Sequence, residues 1–303
     1  MNVSFDAILP SGEVLSHADM ANALRARLPL VDGEARATHP PSDPLTDDVR
    51  LLGTLFGLQL VEHEGPAFYT TIERMRRTAK AARRDGGPDW TGIDSILRQA
   101  LEERPPDDAL AQLTRTAAAF RLVLALIGIA EGLHRPAPGF ELDQTLEELD
   151  HDLLEASLGR LEVRLVATAH PTKILRQRVL AHQRLVDELL RELHAAPDRN
   201  RQVVVLERLA EAVEILWATQ FSRWERPTVS DEIDHVLTYF RRGVIDAASG
   251  FERTLVRSYR HRLGREVPRP PRPRLTFGSW VGGDMDGNPF VTPSVFTEAL
   301  LFQ

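Results

Sequence analysis

The chain contains no cysteine. Disulfide scaffolds, zinc–thiolate sites, iron–sulfur clusters and thiol nucleophiles are therefore excluded. Lysine is almost as scarce: Lys80 and Lys173 are the only two among 37 basic residues. That skew reads as codon bias toward arginine, because Arg against Lys usage is not a fold signal by itself. An excess of positive charge is missing too. With 44 acidic against 37 basic residues the net charge is −7, which argues against a nucleic-acid binder resting on bulk charge. The N-terminal MNVSFDAILPSGEV has neither a charged n-region nor a continuous apolar h-region, so it is no secretory signal. The longest apolar run, Leu122 to Ala130, is too short to span a bilayer. The expectation is a soluble, cytoplasmic protein. HExxH, Walker, GxGxxG and GxSxG signatures are also absent, which removes zincins, P-loop enzymes, Rossmann dehydrogenases and α/β-hydrolases.

What is present is an apolar fraction of 43% over 303 residues, enough for one sizeable core or two smaller ones. The pattern is helical from about Thr46, after a THPPSDP hinge. Asp47 and Asp48 suit a helix start, and Leu52, Leu55, Phe56 and Gln59 recur at i, i+3, i+4 and i+7. Pro66 suits the first turn of a second helix with a basic face, Arg74 to Arg84, expected to be solvated or paired with acids. Further helices are expected over Thr91–Glu103, Asp107–His134, Leu142–Leu158, Pro171–His194 and Arg199 to about Gln220. Another follows Ser230-Asp231-Glu232. The segment AAAFRLVLALIGIA is apolar nearly all round and predicts a central, buried helix. Pro268 to Arg274 reads as a stiff connector.

Two segments read as strands, Leu161 to Ala169 and Arg274 to Val281, and each runs straight into turn-forming residues. Parallel α/β folds present their sites at such strand ends. The first strand leads into His170-Pro171-Thr172-Lys173. Pro171 stops a strand and suits a first helical turn, so free N–H groups, with Lys173 and Arg176 nearby, would favour an anion such as phosphate. His170 then reads either as an acid–base group or as a histidine that caps the helix or satisfies a buried carbonyl. The second leads into Gly282-Gly283-Asp284-Met285-Asp286-Gly287-Asn288-Pro289. Its glycine comes too early for an EF-hand, and the twelfth position from Asp284 is Val295, not glutamate. The spacing favours a tight turn over a metal site, with Asp284 and Asp286 binding basic groups or holding the loop.

VATAHPTKILRQRVL and FGSWVGGDMDGNPFVTP together resemble the two active-site signatures of the phosphoenolpyruvate carboxylase family. DVRLLGTLFGLQLVEHEG, AFRLVLALIGIAEGLHR and RPTVSDEI are similar in order as well, so the resemblance runs from Asp48 to Phe302. It implies an α/β fold, predominantly α-helical in this segment and forming the N-terminal part of a helix-rich (β/α)8 barrel. Residues 1–45 would be an N-terminal extension, 46–160 a helical region and 161–303 the start of the barrel. The activity implied is carboxylation of phosphoenolpyruvate with bicarbonate to oxaloacetate and phosphate, in a cytoplasmic, anaplerotic homotetramer that needs Mg2+ or Mn2+. The resemblance makes His170 catalytic and puts Lys173, Arg176, Asp284 and Asp286 at the substrate, with the metal ligands expected beyond Gln303. The chain alone is therefore expected to be inactive; the alternative is a truncated relative serving as a helical interaction or regulatory module. A histidine phosphotransfer domain is disfavoured because Pro171 would break its helix. Four places depart from the family pattern: Met285 for arginine, Lys173 after HPT, Gln220-Phe221 for an acidic pair, and Ile245 for tryptophan.

Overall fold

The computed structural model describes residues 5–9, 14–32, 40–84, 87, 90–102, 104–135, 150–168, 177–219, 228–267 and 274–302. In chain order the elements are α1 (His17–Arg25), α2 (Pro44–Glu64), α3 (Pro66–Arg84), α4 (Trp90–Leu101), α5 (Pro106–Leu133) and α6 (His151–Leu158). There follow β1 (Val163–Ala167), α7 (Gln177–His194), α8 (Arg199–Ala218), α9 (Val229–Tyr239), a π-helical turn (Phe240–Val244) and α10 (Ile245–Leu263). The last two are β2 (Leu275–Ser279) and α11 (Pro293–Phe302). The described residues are thus mainly helical, with one two-stranded parallel sheet.

The chain divides into two compact units, one of Met1–Arg135 with Arg178–Phe221, the other of Pro136–Gln177 with Ser222–Gln303. In the first, α2 is central and packs against α1, α3, α5 and α8. It begins at Pro44, two residues before the expected Thr46. Asp43 caps it by accepting from Thr46 N at 3.0 Å, and proline loses nothing at a first turn that has no N–H acceptor. It ends at Gly65, whose φ of +89° only glycine adopts without cost. The basic face of α3 is partly paired and partly exposed, as expected: Glu73 accepts from Arg76 Nε at 2.7 Å and Arg77 Nε at 3.0 Å, while Lys80, Arg83 and Arg84 are exposed.

Helix α5 departs from the sequence expectation. It is buried along one stripe, Ala119, Leu122, Leu126 and Ala130, while Leu110, Leu113 and Leu124 are exposed. Its neighbours α2, α3 and α8 cover one side, so apolar composition all round does not translate into burial all round. At 28 residues it is long and apolar enough to cross a bilayer by length and composition alone, although the run Leu122–Ala130 is not. Core helices pass the same test.

In the second unit, Leu154 and Leu158 of α6 pack with Leu255 and Tyr259 of α10 and with Val267 beyond its end. Arg274, buried just before β2, pairs with Glu252 and donates from Nε to the Leu158 carbonyl at 3.4 Å. A separate cluster joins Val229, Ile233 and Val236 of α9 to Val281, Val291 and Ala299. It lies directly beneath the second motif.

Candidate active site

β1 and β2 run parallel in the register Val163↔Leu275 to Ala167↔Ser279. Hydrogen bonds at both ends extend the ladder, Val163 N to Arg274 O at 2.7 Å and Trp280 N to Ala167 O at 2.8 Å. The two strands therefore end at one sheet edge. Counted along the chain, His170 follows Ala167 by three residues, and Gly282 follows the register partner Ser279 by three. His170, Lys173 and Arg176 themselves, with the rest of residues 169–176, lie outside the described residues. So do Gln220 and Phe221.

The second motif is fully described and is built as a chain of turns. Ser279 Oγ accepts from Val281 N at 3.1 Å, and Gly283 N donates to Trp280 O at 3.1 Å. Gly282 has a φ of +77°, and a Cβ there would come within 2.6 Å of Ala299 Cβ and 3.1 Å of Ile233 Cδ1. Only glycine lets the backbone press onto α9 and α11 at this point. Asp284 Oδ1 accepts from Gly287 N at 3.0 Å, and Asn288 N donates to Asp284 O at 3.1 Å. A Cβ on Gly287 would meet the Asp284 carboxylate at 2.7 Å. Asp284 is thus half-buried and occupied in holding the loop. Asp286 is exposed, with no ion pair or hydrogen bond among the described residues, and Met285 beside it is also exposed. Val281 and Val291 clamp the two ends of the loop into the α9 cluster, so its tip is displayed from a fixed base.

One constellation in the first unit has no counterpart among the sequence expectations. Asp48, fully buried on α2, accepts hydrogen bonds from three histidines. His17 Nδ1 of α1 bonds Oδ1, His134 Nε2 at the C-cap of α5 bonds Oδ2 at 2.6 Å, and His194 Nε2 of α7 bonds Oδ2 at 2.7 Å. Burial alone raises the Asp48 pKa, but the bonds from His17, His194 and His134 outweigh it and hold the carboxyl well below the usual range. In the sequence Asp48 reads only as a helix-start residue. Its partners lie 31, 86 and 146 positions away, so no local spacing reveals them.

β1 and β2 thus end together at one edge of a parallel sheet, the place where parallel α/β folds present their sites. The sequence profile of phosphoenolpyruvate carboxylase matches residues 45–303. The phosphoenolpyruvate carboxylase of Alcanivorax borkumensis is 34% identical over 285 residues, covering 87% of this chain and 31% of that protein. Those of Ralstonia nicotianae and Xanthomonas euvesicatoria are 33% and 36% identical, over 84% and 83% of this chain. The chain belongs to the phosphoenolpyruvate carboxylase family. It spans between 27% and 31% of the length of these three relatives.

Proposed function

We propose that the shared edge of β1 and β2 is one wall of the active site of a phosphoenolpyruvate carboxylase, in a complete protein that condenses phosphoenolpyruvate with bicarbonate. The observation that carries this reading is the parallel pairing, which starts both motifs from the same edge. In parallel α/β folds substrates sit beyond the strand carboxyl ends. A bicarbonate oxygen attacks phosphorus and the P–O bond to the enol breaks, giving carboxyphosphate and the enolate of pyruvate. His170 takes the carboxyphosphate proton, whose loss drives cleavage of the C–O bond to CO2 and phosphate. The enolate carbon then attacks CO2 to form oxaloacetate. Lys173 and Arg176 supply charge-assisted hydrogen bonds to the anionic groups. Asp284 fixes the second loop, and Asp286 is the carboxylate free to meet substrate or a basic partner.

The exposed apolar side chains of β1, Val163, Leu165 and Val166, support a sheet that is covered in the complete (β/α)8 barrel, since parallel sheets are buried on both faces. Residues 161–303 are its first part in this reading, and the enzyme is a cytoplasmic homotetramer. The family's cation, Mg2+ or Mn2+, does not fit the described residues of this unit. Octahedral oxygen coordination needs several free carboxylates or carbonyls. Asp284 is bound to the Gly287 N–H, and among the described residues no group of three acidic or histidine donors gathers there.

The test is His170→Asn in the complete enzyme, with oxaloacetate measured by coupled reduction with malate dehydrogenase. Loss of turnover with an unchanged circular dichroism spectrum is expected. A variant with wild-type turnover and an unchanged pH profile refutes the role of His170. The 303-residue chain by itself is expected to form no oxaloacetate.

A further inference from the structure

Three histidines, from α1, α7 and the C-cap of α5, converge on Asp48 of α2 in the first unit. We infer that this cluster is a divalent transition-metal site that takes zinc, bound by His17 Nδ1, His194 Nε2 and the Asp48 carboxylate, and that it staples α1, α2 and α7 together. The inference does not depend on the carboxylase reading.

The donor set decides the metal class. Two imidazole nitrogens and one carboxylate suit zinc and its neighbours, whereas Mg2+ demands oxygen ligands. The chain has no cysteine to compete for the ion. The ligand atoms of His17, Asp48 and His194 all lie within 4.8 Å of one another. A tetrahedral ion with bonds of about 2.0 Å needs donors about 3.3 Å apart. His194 Nε2 is 2.7 Å from Asp48 Oδ2, so it retreats by about half an ångström on binding. The His17 and His194 rings already lie side by side, centroids 4.2 Å apart and tilted by 40°.

On binding, each of the two ligating rings moves its proton to the other ring nitrogen and offers the freed lone pair to the ion. His134 has a different task. Its Nε2–H stays on Asp48 Oδ2, 2.6 Å away, and orients the carboxylate as outer-shell partners of metal sites do. Access follows from exposure: Asp48 and His17 are buried, but the His194 side chain is 35% exposed and His134 21%. The ion enters from the His194 side, where a water completes the coordination.

The experiment uses the full chain, stripped with EDTA and dialysed, and titrated with zinc chloride by calorimetry. One equivalent is expected to bind, with a Tm rise of roughly 5–10 °C at a hundredfold excess over Kd. Cobalt chloride on the same protein should give the intense visible bands of a tetrahedral ion. His17→Gln and His194→Gln should each lose the binding and the bands, and His134→Gln should bind about 10–100-fold more weakly. His170→Asn should bind as wild type, which separates this site from the motif histidine. Because His194 is partly exposed, His194→Gln tests the site without opening the core. A folded wild-type chain with no saturable zinc binding overturns the inference. So does binding that survives both His17→Gln and His194→Gln, or that disappears in His170→Asn.

Discussion

Replacing Gly282 by alanine should be among the most damaging single-methyl additions in the second motif, and the structure gives its size. The residue sits at φ +77°, where a Cβ costs about 1–2 kcal/mol. The same Cβ would lie 2.6 Å from Ala299 Cβ, a rigid neighbour on a helix, and overpacking of that kind costs about 1–3 kcal/mol. Alanine also stiffens the unfolded chain, which returns about 0.4–1 kcal/mol. The net loss is about 1–5 kcal/mol, or a Tm lower by roughly 4–20 °C for a unit of this size. Gly287 and Gly283 serve as controls. At Gly287 the obstacle is the tip of the Asp284 side chain, which can swing away at the cost of one turn hydrogen bond, about 1 kcal/mol. At Gly283 a Cβ would find its nearest neighbour, Trp280 O, at 3.5 Å, and the backbone is not left-handed, so Gly283→Ala should cost least. The assay is urea unfolding followed by Trp280 fluorescence, with Trp90, Trp217 and Trp224 changed to phenylalanine. Equal losses at all three glycines, or a Gly282→Ala within about 0.5 kcal/mol of the parent, would refute the reasoning.

Asp48→Asn should destabilise the first unit by about 3–5 kcal/mol, because it breaks a buried network while leaving its imidazole partners behind. The folded-state pKa of Asp48 lies below its unfolded value, so the unfolded chain binds more protons in acid. In EDTA, wild-type stability should therefore be full above the ordinary carboxylate range and fall as pH drops through and below it, while Asp48→Asn loses that acid dependence; urea midpoints from pH 6 down to pH 3 check the difference. Met285→Arg in the complete enzyme should lower the KM for phosphoenolpyruvate, since the exposed loop tip then carries a guanidinium; an unchanged or higher KM removes this position from the substrate. The Tyr259 hydroxyl is buried without a hydrogen-bond partner among the described residues. Tyr259→Phe should raise stability by about 1 kcal/mol, and a fall in the urea midpoint would show that the hydroxyl has a partner.

The local features of the fold were legible because they depend on neighbours in sequence. Both strands lie within the segments expected from β-branched alternation, Leu161–Ala169 and Arg274–Val281. Helix α3 begins at Pro66 as its first-turn proline requires. Ser230-Asp231-Glu232 marked a helix that proves to start with a Thr228–Asp231 capping box. What was not legible depends on distance. That β1 pairs with β2 in parallel is decided between residues 112 apart, as for Arg164 and Thr276. The one-sided burial of α5 is set by where its neighbours lie, which periodicity does not encode. Asp48 looked like a helix-terminal charge because nothing within its own turn names His17, His134 or His194.

The order in which the two units are written along the chain has a consequence during synthesis. The first unit opens at Met1, is interrupted by Pro136–Gln177, and is completed only by Arg178–Phe221. The interruption carries β1, whose partner β2 begins at Leu275. At roughly 5–20 residues per second the ribosome needs on the order of 5–20 s to supply that partner. Throughout that interval the segment of Val163, Leu165 and Val166 has no β2 to pair with. Arg164 sits in its middle, with its Nε later within 3.4 Å of Thr276 Oγ1. A charge in the middle of an apolar β-forming window acts as a gatekeeper against aggregation, so Arg164→Val should lower the soluble yield on expression. The Arg164 side chain makes one weak contact in the finished sheet, so the expected effect of that substitution falls on the chain while the sheet is still half made.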